Sequence, residues 1–415
     1  AIAEWNMDAL DALGLVKFDL LTIRNLDTLQ MGVDLDKSLS ADQTQSLLAA
    51  EGIDFYSWRD EYNDPEVWDE ICAGRTLGMF QIETYAGTAM CKRHKPRSMA
   101  ELADVITLVR PGPARSGLTD TYLRRRHGEE EVIYPHACLE PVLGKTLGVP
   151  LFQEQVMQIS MLAAGFTPGE ADQLRRAMAA WKRKGGLAQY YDKIVNGMTS
   201  RGYQREFAEA IFEQIKGFSE YGFPESHAAS FALLVYASCW IKCHHPAEFL
   251  AAMLNRQPLG FYSASQLVQD AKRHGVEVRR VDVMSSEWDC TLEGLPHPPA
   301  VRLGLRLVAG LKAESALRIL KARRERPFDG AEDLARRAEI EQHEMTLLAA
   351  ADALMSVAGH RRQQVWEAAG QRSAPQLLKQ APVNEEELEL PAAPEGEEVV
   401  WDYAATGLTL RRHPL

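Results

Sequence analysis

The sequence predicts a mainly α-helical protein built from two to three domains. Residues 40–275 show helical periodicity interrupted by Gly- and Pro-containing turns, and residues 301–372 show shorter helices separated by Gly310, Pro327 and Gly359. A chain of 415 residues is too long for one compact hydrophobic core, so more than one domain is expected. These two helical stretches make up the bulk of the predicted fold.

The composition is typical of a folded, soluble protein. Hydrophobic residues make up 46% and charged residues 25%, and no apolar run reaches the roughly 20 residues that span a bilayer, so no membrane association is expected. Six cysteines without a paired framework indicate reduced thiols and a cytoplasmic location. The formal net charge of -12 excludes binding of nucleic acid through bulk positive charge, but it is compatible with local basic grooves.

Residues 14–23 are apolar and rich in β-branched and aromatic side chains, which predicts a buried strand that leads into a helix. One acid, Asp19, lies inside this segment. Burying a carboxylate costs several kcal/mol of free energy unless a cation or hydrogen bonds compensate it, roughly the effective penalty per buried ion. A charge-balancing partner or a functional role is therefore expected for Asp19. Lys17 alternates onto the same strand face, where it can offset the carboxylate or reach a phosphate.

The remaining segments connect or follow the helical regions. Residues 276–300 contain a β-branched stretch and a Pro-rich loop, which predict a small β connector. Residues 301–372 fit two helix pairs that each turn at a glycine-bearing hairpin. Residues 373–400 are rich in Glu and Pro and are predicted to be an acidic linker that cannot bury enough apolar surface to order itself.

Separate basic motifs and Gly/Pro motifs recur along the helical region. Arg donates two parallel hydrogen bonds to a phosphate and Lys supplies a point charge, so these groups are candidate binders of a triphosphate or a nucleic-acid backbone. Taken singly, each group also fits a solvated helix face. The groups lie at residues 109–113, 122–128, 173–178, 181–185 and 221–227.

In series, these motifs resemble the bacterial DNA polymerase III alpha subunit, a C-family DNA polymerase, over essentially the whole chain. Pro224-Glu225 stands where replicative members usually carry Asn-Lys, and this resembles the error-prone branch that serves mutagenic DNA repair. The markers, in family order, include Leu15-Val-Lys-Phe-Asp-Leu-Leu21, Phe80-Gln-Ile-Glu83, Arg110-Pro-Gly-Pro113, Leu174-Arg-Arg-Ala-Met178 and Tyr221-Gly-Phe-Pro-Glu-Ser-His227.

The resemblance implies a mainly α fold in which the polymerase fingers carry a palm-edge strand and a tandem helix-hairpin-helix domain. Such hairpins hold duplex DNA without reading its sequence. The implied domains are the palm edge at 1–25, fingers at 26–275, the β connector at 276–300, the tandem helix-hairpin-helix domain at 301–372, the linker at 373–400 and the lead-in to an OB domain at 401–415.

The resemblance also gives Asp19 a role in catalysis. Polymerases of this family transfer deoxynucleotides with two Mg²⁺ ions held by three aspartates, of which Asp19 matches one and Lys17 lies beside it. The other two aspartates are expected upstream of this segment, so the chain alone is expected not to extend a primer. Asp34 and Asp36 have Asp-x-Asp spacing, but they come after Asp19 in polar surroundings and are the weaker alternative.

The same resemblance implies two sets of contacts. Glu225 reverses a charge beside the first set, which suggests a weaker grip on the nucleotide and lower fidelity. For Gly310 and Gly359 the alternative is that they merely end helices. The implied nucleotide-binding residues are Arg110, Arg175, Arg176, Lys182, Lys184, Ser226 and His227, and the implied DNA-binding residues are Arg124, Arg125, Gly310, Lys312, Gly359 and Arg361.

The expected partners are primer-template DNA, deoxynucleoside triphosphates and, through an accessory mutagenesis protein, the sliding clamp. A direct clamp-binding peptide of the Gln-x-x-x-Phe type is not found where replicative members carry one. The competing interpretation is a non-catalytic DNA-binding or assembly module that keeps the fingers as a scaffold. The presence of an Asp-x-Asp strand upstream would discriminate between the two.

Overall fold

The computed structural model describes most of the two predicted helical regions. Four of the predicted site residues, Lys17, Asp19, Lys182 and Lys184, lie outside the described residues, as do Asp34 and Asp36. The structure describes Met31 and residues 62–110, 117–134, 136–179, 188–219, 223–260, 262–294, 298–371 and 389–412.

The chain divides into two compact units, one formed by residues 53–243 and the other by residues 1–52 and 244–415. This boundary lies about one helix pair before the predicted end of the fingers at residue 275. Helices of the first unit are α1 (Pro65–Ala73), α2 (Tyr85–His94), α3 (Met99–Leu108), α4 (Leu118–Arg126), α5 (Glu140–Leu143), α6 (Gln153–Ala164), α7 (Pro168–Ala179), α8 (Ala188–Thr199), α9 (Arg205–Ser219) and α10 (Glu225–His244), with 3₁₀ turns at Ala137–Leu139 and Gly144–Thr146.

Polar side chains fix where the first helices begin. The Asp64 carboxylate accepts hydrogen bonds from the backbone N–H groups of Glu66 and Val67 at the start of α1. The Ser98 hydroxyl accepts from the backbone N–H of Glu101 in the first turn of α3. Each bond satisfies a donor that the helix itself leaves unpaired, so these residues set the helix start locally.

Two hydrophobic cores support the first unit. One core packs α1 to α4 around the middle of α10, where Tyr236 is buried. The other packs α6, α7, α8 and α9 around residues that include Leu174 and Ile211. The backbone N–H of Gln153 donates to the Phe223 carbonyl at 3.2 Å, which joins the start of α6 to the residues that precede α10.

The second unit contains a small sheet that begins in the predicted β connector and extends to Arg302. Strand β3 (Ala300–Arg302) is central. It pairs in parallel with β1 (Val278–Arg279), with Val301 opposite Val278, and antiparallel with β2 (Thr291–Glu293), with Val301 opposite Leu292. The elements are α11 (Pro246–Asn255), α12 (Ala264–Arg273), β1 (Val278–Arg279), β2 (Thr291–Glu293), β3 (Ala300–Arg302), a 3₁₀ turn at Leu305–Leu307, α13 (Ala313–Glu325), α14 (Ala331–Arg337), α15 (Gln342–Ala350), α16 (Met355–Ala358), α17 (Arg361–Gly370) and α18 (Glu395–Thr406).

Two glycine-bearing hairpins lie in the second unit. In the first hairpin, residues 305–325, the 3₁₀ turn leads through Gly310 to α13, and in the second hairpin, residues 355–370, α16 leads through Gly359 to α17. Both glycines have positive φ, +82° and +71°, a region that side-chain-bearing residues rarely adopt. The glycines therefore permit the reversals at which the sequence predicted hairpins.

The tail, residues 389–412, differs from the sequence prediction. The acidic linker was predicted to extend to residue 400, yet α18 begins at Glu395 and both Glu398 and Val399 are buried. The prediction was wrong for residues 395–400, because it counted acidic residues without the basic partner, Arg361, that the fold places against them.

The predicted mainly α-helical fold is confirmed, with eighteen α-helices and one three-stranded sheet in the described residues. Among these helices, none combines the length and the apolar character that a bilayer crossing demands.

Candidate nucleic-acid interface

In the first unit, Arg110 contacts a group of three aromatic side chains. This group, here called the ring cluster, consists of Phe223, His227 and Phe231. The guanidinium carbon of Arg110, just beyond the end of α3, lies 4.5 Å from the centroid of Phe223. His227 lies between the two phenylalanines, with ring centroids 4.9 Å from Phe223 and 4.1 Å from Phe231. One-turn spacing on α10 places His227 and Phe231 on one face, so the helix itself brings these two rings together, tilted by 52° to each other.

The charge of Arg110 has no acidic partner among its described contacts. Its Nε is buried without a hydrogen-bond partner in the described part of the chain, and burial lowers the pKa of Arg110. Burial, and next the positive charge of Arg110, lower the pKa of His227, which favours the neutral ring. A cation that lies over one aromatic ring beside two others suits an anion that carries a flat base, such as a nucleotide.

The predicted residue Ser226 and its neighbour Glu225 begin α10 beside the ring cluster. Ser226 is exposed. The Glu225 carboxylate accepts a hydrogen bond from the Lys145 ammonium at 2.5 Å, and the Glu225 backbone N–H donates to Glu154 at 2.9 Å. Glu225 therefore neutralises Lys145 across the start of the helix, a contact that the sequence analysis did not foresee.

Arg175 and Arg176 lie on α7, above the second core of the first unit. Both guanidinium groups bond to Asp172 at 2.8 Å. The hydrogen bond from Arg175 is the largest cause that lowers the pKa of Asp172. These two arginines share one negative charge, so a net positive charge remains on this face of the helix. Their convergence with Arg110 on one cleft stays a prediction.

The two arginines predicted on α4 have different environments. Arg124 is about half exposed and pairs with Glu130 at 2.9 Å. The Arg125 side chain is only 12% exposed, pairs with the same carboxylate, and donates to the Leu147 carbonyl at 2.9 Å. Arg125 is thus committed to holding the residue 147 turn, which argues against the predicted DNA contact, whereas Arg124 keeps an accessible guanidinium.

The first hairpin presents the features that a phosphate contact needs. Gly310 and Lys312 are both exposed. Lys312 is the N-cap residue of α13 and its side chain makes no capping bond, so the helix begins with backbone N–H groups that no side chain satisfies. Such donors, with the positive end of the helix dipole, favour an anion at this point.

The second hairpin corrects a prediction. Gly359 is exposed, but the Arg361 side chain is only 3% exposed. Its guanidinium bonds to Glu398 and Asp402 of the tail. Arg361 therefore cannot reach a DNA phosphate in this structure, because its donors are directed into the protein.

The ring cluster was missed by the sequence analysis, although a signal was present. Phe223, His227 and Phe231 recur at a spacing of four residues; in the structure His227 and Phe231 lie one turn apart on α10, whereas Phe223 precedes the helix. The contact with Arg110 was beyond reach, because residues more than one hundred positions apart share no local pattern.

Two family models match this chain. The model of the bacterial DNA polymerase III alpha subunit finger domain matches residues 39–202, and that of the helix-hairpin-helix motif matches residues 275–364. Over residues 39–202 the chain is similar to the bacterial DNA polymerase III alpha subunit. The resemblance predicted from the sequence is confirmed, and the two matches follow the predicted order of fingers before hairpins.

The relatives are named error-prone DNA polymerases. Those of Bordetella parapertussis, Burkholderia pseudomallei and Methylococcus capsulatus are 49%, 50% and 47% identical over the whole of this chain. The alignments cover 39%, 39% and 40% of those relatives. The chain therefore spans about two fifths of the length of the curated relatives it matches, and the resemblance to the error-prone branch is confirmed.

Proposed function

We propose that this chain provides the nucleotide-gripping fingers and the DNA-holding hairpins of an error-prone, template-directed DNA polymerase. The reaction joins the α-phosphorus of a deoxynucleoside triphosphate to the primer 3′-oxygen and releases pyrophosphate. The observation that carries the proposal is the Arg110 guanidinium, which lies on the ring cluster without an acidic partner among its described contacts.

The chain's own residues have separate parts in this proposal. Arg110 binds a phosphate of the incoming nucleotide, while His227 and Phe231 present flat faces to the nascent base pair. Arg175 and Arg176, with Lys182 and Lys184, supply further positive charge for the triphosphate or the nearby backbone. Ser226, exposed at the start of α10, offers a hydroxyl to the same pocket.

Mg²⁺ is the ion proposed for this reaction. Bound metal neutralises the triphosphate and lowers the pKa of the primer hydroxyl. Asp19 is proposed as one carboxylate ligand and Lys17 as its neighbour. A single aspartate does not hold two ions, so the proposed site needs further carboxylate ligands besides Asp19.

Duplex DNA is the proposed partner of the hairpin domain. Exposed Lys312 and the uncapped start of α13 are suited to the phosphate backbone, and neither reads a base. Arg124 is a further candidate in the first unit. Attachment to the sliding clamp is proposed to be indirect, through an accessory mutagenesis protein.

A chimera tests the polymerase assignment. The chain is joined to the upstream and downstream segments of the Bordetella parapertussis relative, and primer extension is measured over a range of nucleotide concentrations. Arg110→Ala is expected to lower kcat/KM by about 10- to 100-fold, because a hydrogen bond to a charged group contributes about 1.5–3 kcal/mol. Asp19→Asn is expected to abolish extension.

The matched control is Arg97→Ala, which removes an exposed arginine that pairs with Asp69 in the same unit. It is expected to leave kcat/KM within twofold. An Arg110→Ala chimera that extends primers as well as this control would contradict the proposed nucleotide contact. A correctly folded chimera without extension activity would instead favour the non-catalytic DNA-binding module.

A further inference from the structure

The two hairpins of the second unit differ in what lies opposite their turns. The first hairpin keeps Gly310 and Lys312 exposed, and no side chain caps α13. At the second hairpin, the imidazole of His360 caps α17 by accepting the backbone N–H of Gln363 at 3.3 Å. One of the donors that a phosphate would use there is therefore already satisfied.

The tail covers this capped turn. Nε2 of His360 lies 2.6 Å from the Leu390 carbonyl oxygen, and the Leu390 backbone N–H donates to the Gln363 side-chain oxygen at 3.3 Å. Arg362, the next cation of the hairpin, pairs with Glu397 of α18 at 2.9 Å. The backbone and the side chains of the tail thus occupy the surface on which a helix-hairpin-helix motif receives DNA.

Beneath this surface lies a set of six charges, here called the ion layer: Arg280, Asp352, Arg361, Glu398, Asp402 and Arg411. Arg361 contacts all three acids, and Arg411 bonds to Asp352 at 2.8 Å and to Glu398 at 2.9 Å. Three cations and three anions balance. Removing the tail would leave Arg361 buried against one carboxylate, so DNA is a poor competitor for this site.

The far end of α18 reaches the first hairpin. The backbone N–H of Ala309 donates to the Ala405 carbonyl at 2.8 Å, so the same helix contacts both turns. This contact uses a single donor of the first turn and leaves Gly310 and Lys312 exposed. The tail helix therefore fixes the two hairpins together while closing only the second.

We propose that the second hairpin is a protein-docking surface for the chain's own acidic tail, and that the first hairpin alone contacts duplex phosphates. The proposal rests on the DNA binding proposed above and assigns it to one of two similar motifs. Charge supports the assignment, because Glu395 and Glu397 are exposed on α18 beside the second turn and repel a phosphate backbone.

Binding of a fluorescein-labelled 20-base-pair duplex to the full chain, followed by anisotropy from about 50 to 300 mM NaCl, tests the assignment. Lys312→Ala is expected to weaken binding severalfold at low salt and to reduce the slope of log K against log salt by about 0.9, the value for one lost phosphate contact. Arg362→Ala, which removes a cation of the second hairpin, is expected to leave the affinity at low salt and the salt slope equal to those of the wild type within experimental error. An Arg362→Ala loss equal to that of Lys312→Ala would overturn the proposal.

Hydrogen exchange on the full chain tests the docking of the tail without DNA. Amides 363–364 and 397–406, which donate hydrogen bonds in the structure, are expected to be protected in the wild type and to lose protection together in Arg361→Ala. Glu397→Gln, which breaks only the exposed pair with Arg362, is expected to loosen residues 389–397 without unfolding the domain. Rapid exchange at residues 363, 364 and 390 in the wild type would overturn the docking, because these amides are hydrogen-bonded where the tail covers the turn. Failure of the wild type to bind duplex would count against the proposed function alone.

Discussion

Arg361→Ala should destabilise the second unit far more than loss of its neighbour Arg362. The substitution leaves the ion layer with three carboxylates and two guanidinium groups, of which Glu398 and Asp352 are almost fully buried. Breaking a buried ion pair by removing one partner costs about 3–5 kcal/mol, because the remaining charge stays desolvated. At about 2–4 °C per kcal/mol for a unit of this size, the transition of the second unit should fall by about 6–20 °C.

Differential scanning calorimetry of the full chain measures this shift, with Arg362→Ala as the matched control. The side chains of Arg362 and Glu397 are 40% and 42% exposed, so their pair should contribute about 0–1 kcal/mol. A second comparison uses Asp402→Asn, which restores the balance of charge when combined with Arg361→Ala. The double variant should lose less stability than the sum of the single variants, by about 1–3 kcal/mol.

Equal transition temperatures for Arg361→Ala and Arg362→Ala would refute the reasoning, because they would show that the ion layer does not hold the tail. Strict additivity with Asp402→Asn would refute it on a separate ground. Additive losses would mean that Arg361 and Asp402 act independently, although their side chains are bonded in the structure.

Three further predictions concern the first unit. Burial raises the pKa of Asp104 to about 7, so the folded state retains a proton that the unfolded state loses above pH 4. The wild type therefore loses stability from pH 4 to pH 7, and Asp104→Asn does not share this loss. The free energy of unfolding of Asp104→Asn, relative to the wild type, should rise over this range and then level off. Burial lowers the pKa of His94 to about 3, so between pH 3 and pH 6.5 the unfolded state binds a proton that the folded state does not. The wild type therefore gains stability over this range. The free energy of unfolding of His94→Gln, relative to the wild type, should fall from pH 3 to pH 6.5 in urea titrations. Glu225→Lys should lower the misincorporation frequency of the active chimera, because it removes a carboxylate and frees Lys145 for phosphate; an error rate equal to that of Glu225→Gln would contradict a role for the added charge.

The fold class and the family could be predicted because their signals are local or sequential. Helical periodicity and the order of the basic motifs can both be recognised in the sequence without knowledge of tertiary contacts. The fate of Arg125 could not be predicted this way, since its partner at the Leu147 carbonyl comes from a turn 22 residues later. Three consecutive arginines on one helix point in different directions, and the second of them faces inward.

The tail shows why composition alone was insufficient. Residues 394–398 contain three glutamates within five positions, and such a stretch has too little apolar surface to order itself. In the structure, Glu398 bonds to Arg361 and Arg411, and Glu397 to Arg362. The charge that predicted disorder is the charge that binds the segment, because its partners are supplied by a distant helix start and by the residues after α18.

The two hairpins share a local pattern, since Lys312 and Arg361 each follow a positive-φ glycine by two residues. They differ by one residue in helix register. Lys312 is the N-cap of α13, with extended backbone at φ −91° and ψ 150°, whereas in the second hairpin His360 is the N-cap and Arg361 is the first helical residue. One residue turns a helical side chain by about 100°, which is enough to move a cation from the solvent side of a turn to the protein side. A basic residue after a hairpin glycine therefore indicates a phosphate contact only when the position of the N-cap is known, and in these two hairpins only His360 is an N-cap whose side chain accepts a backbone N–H.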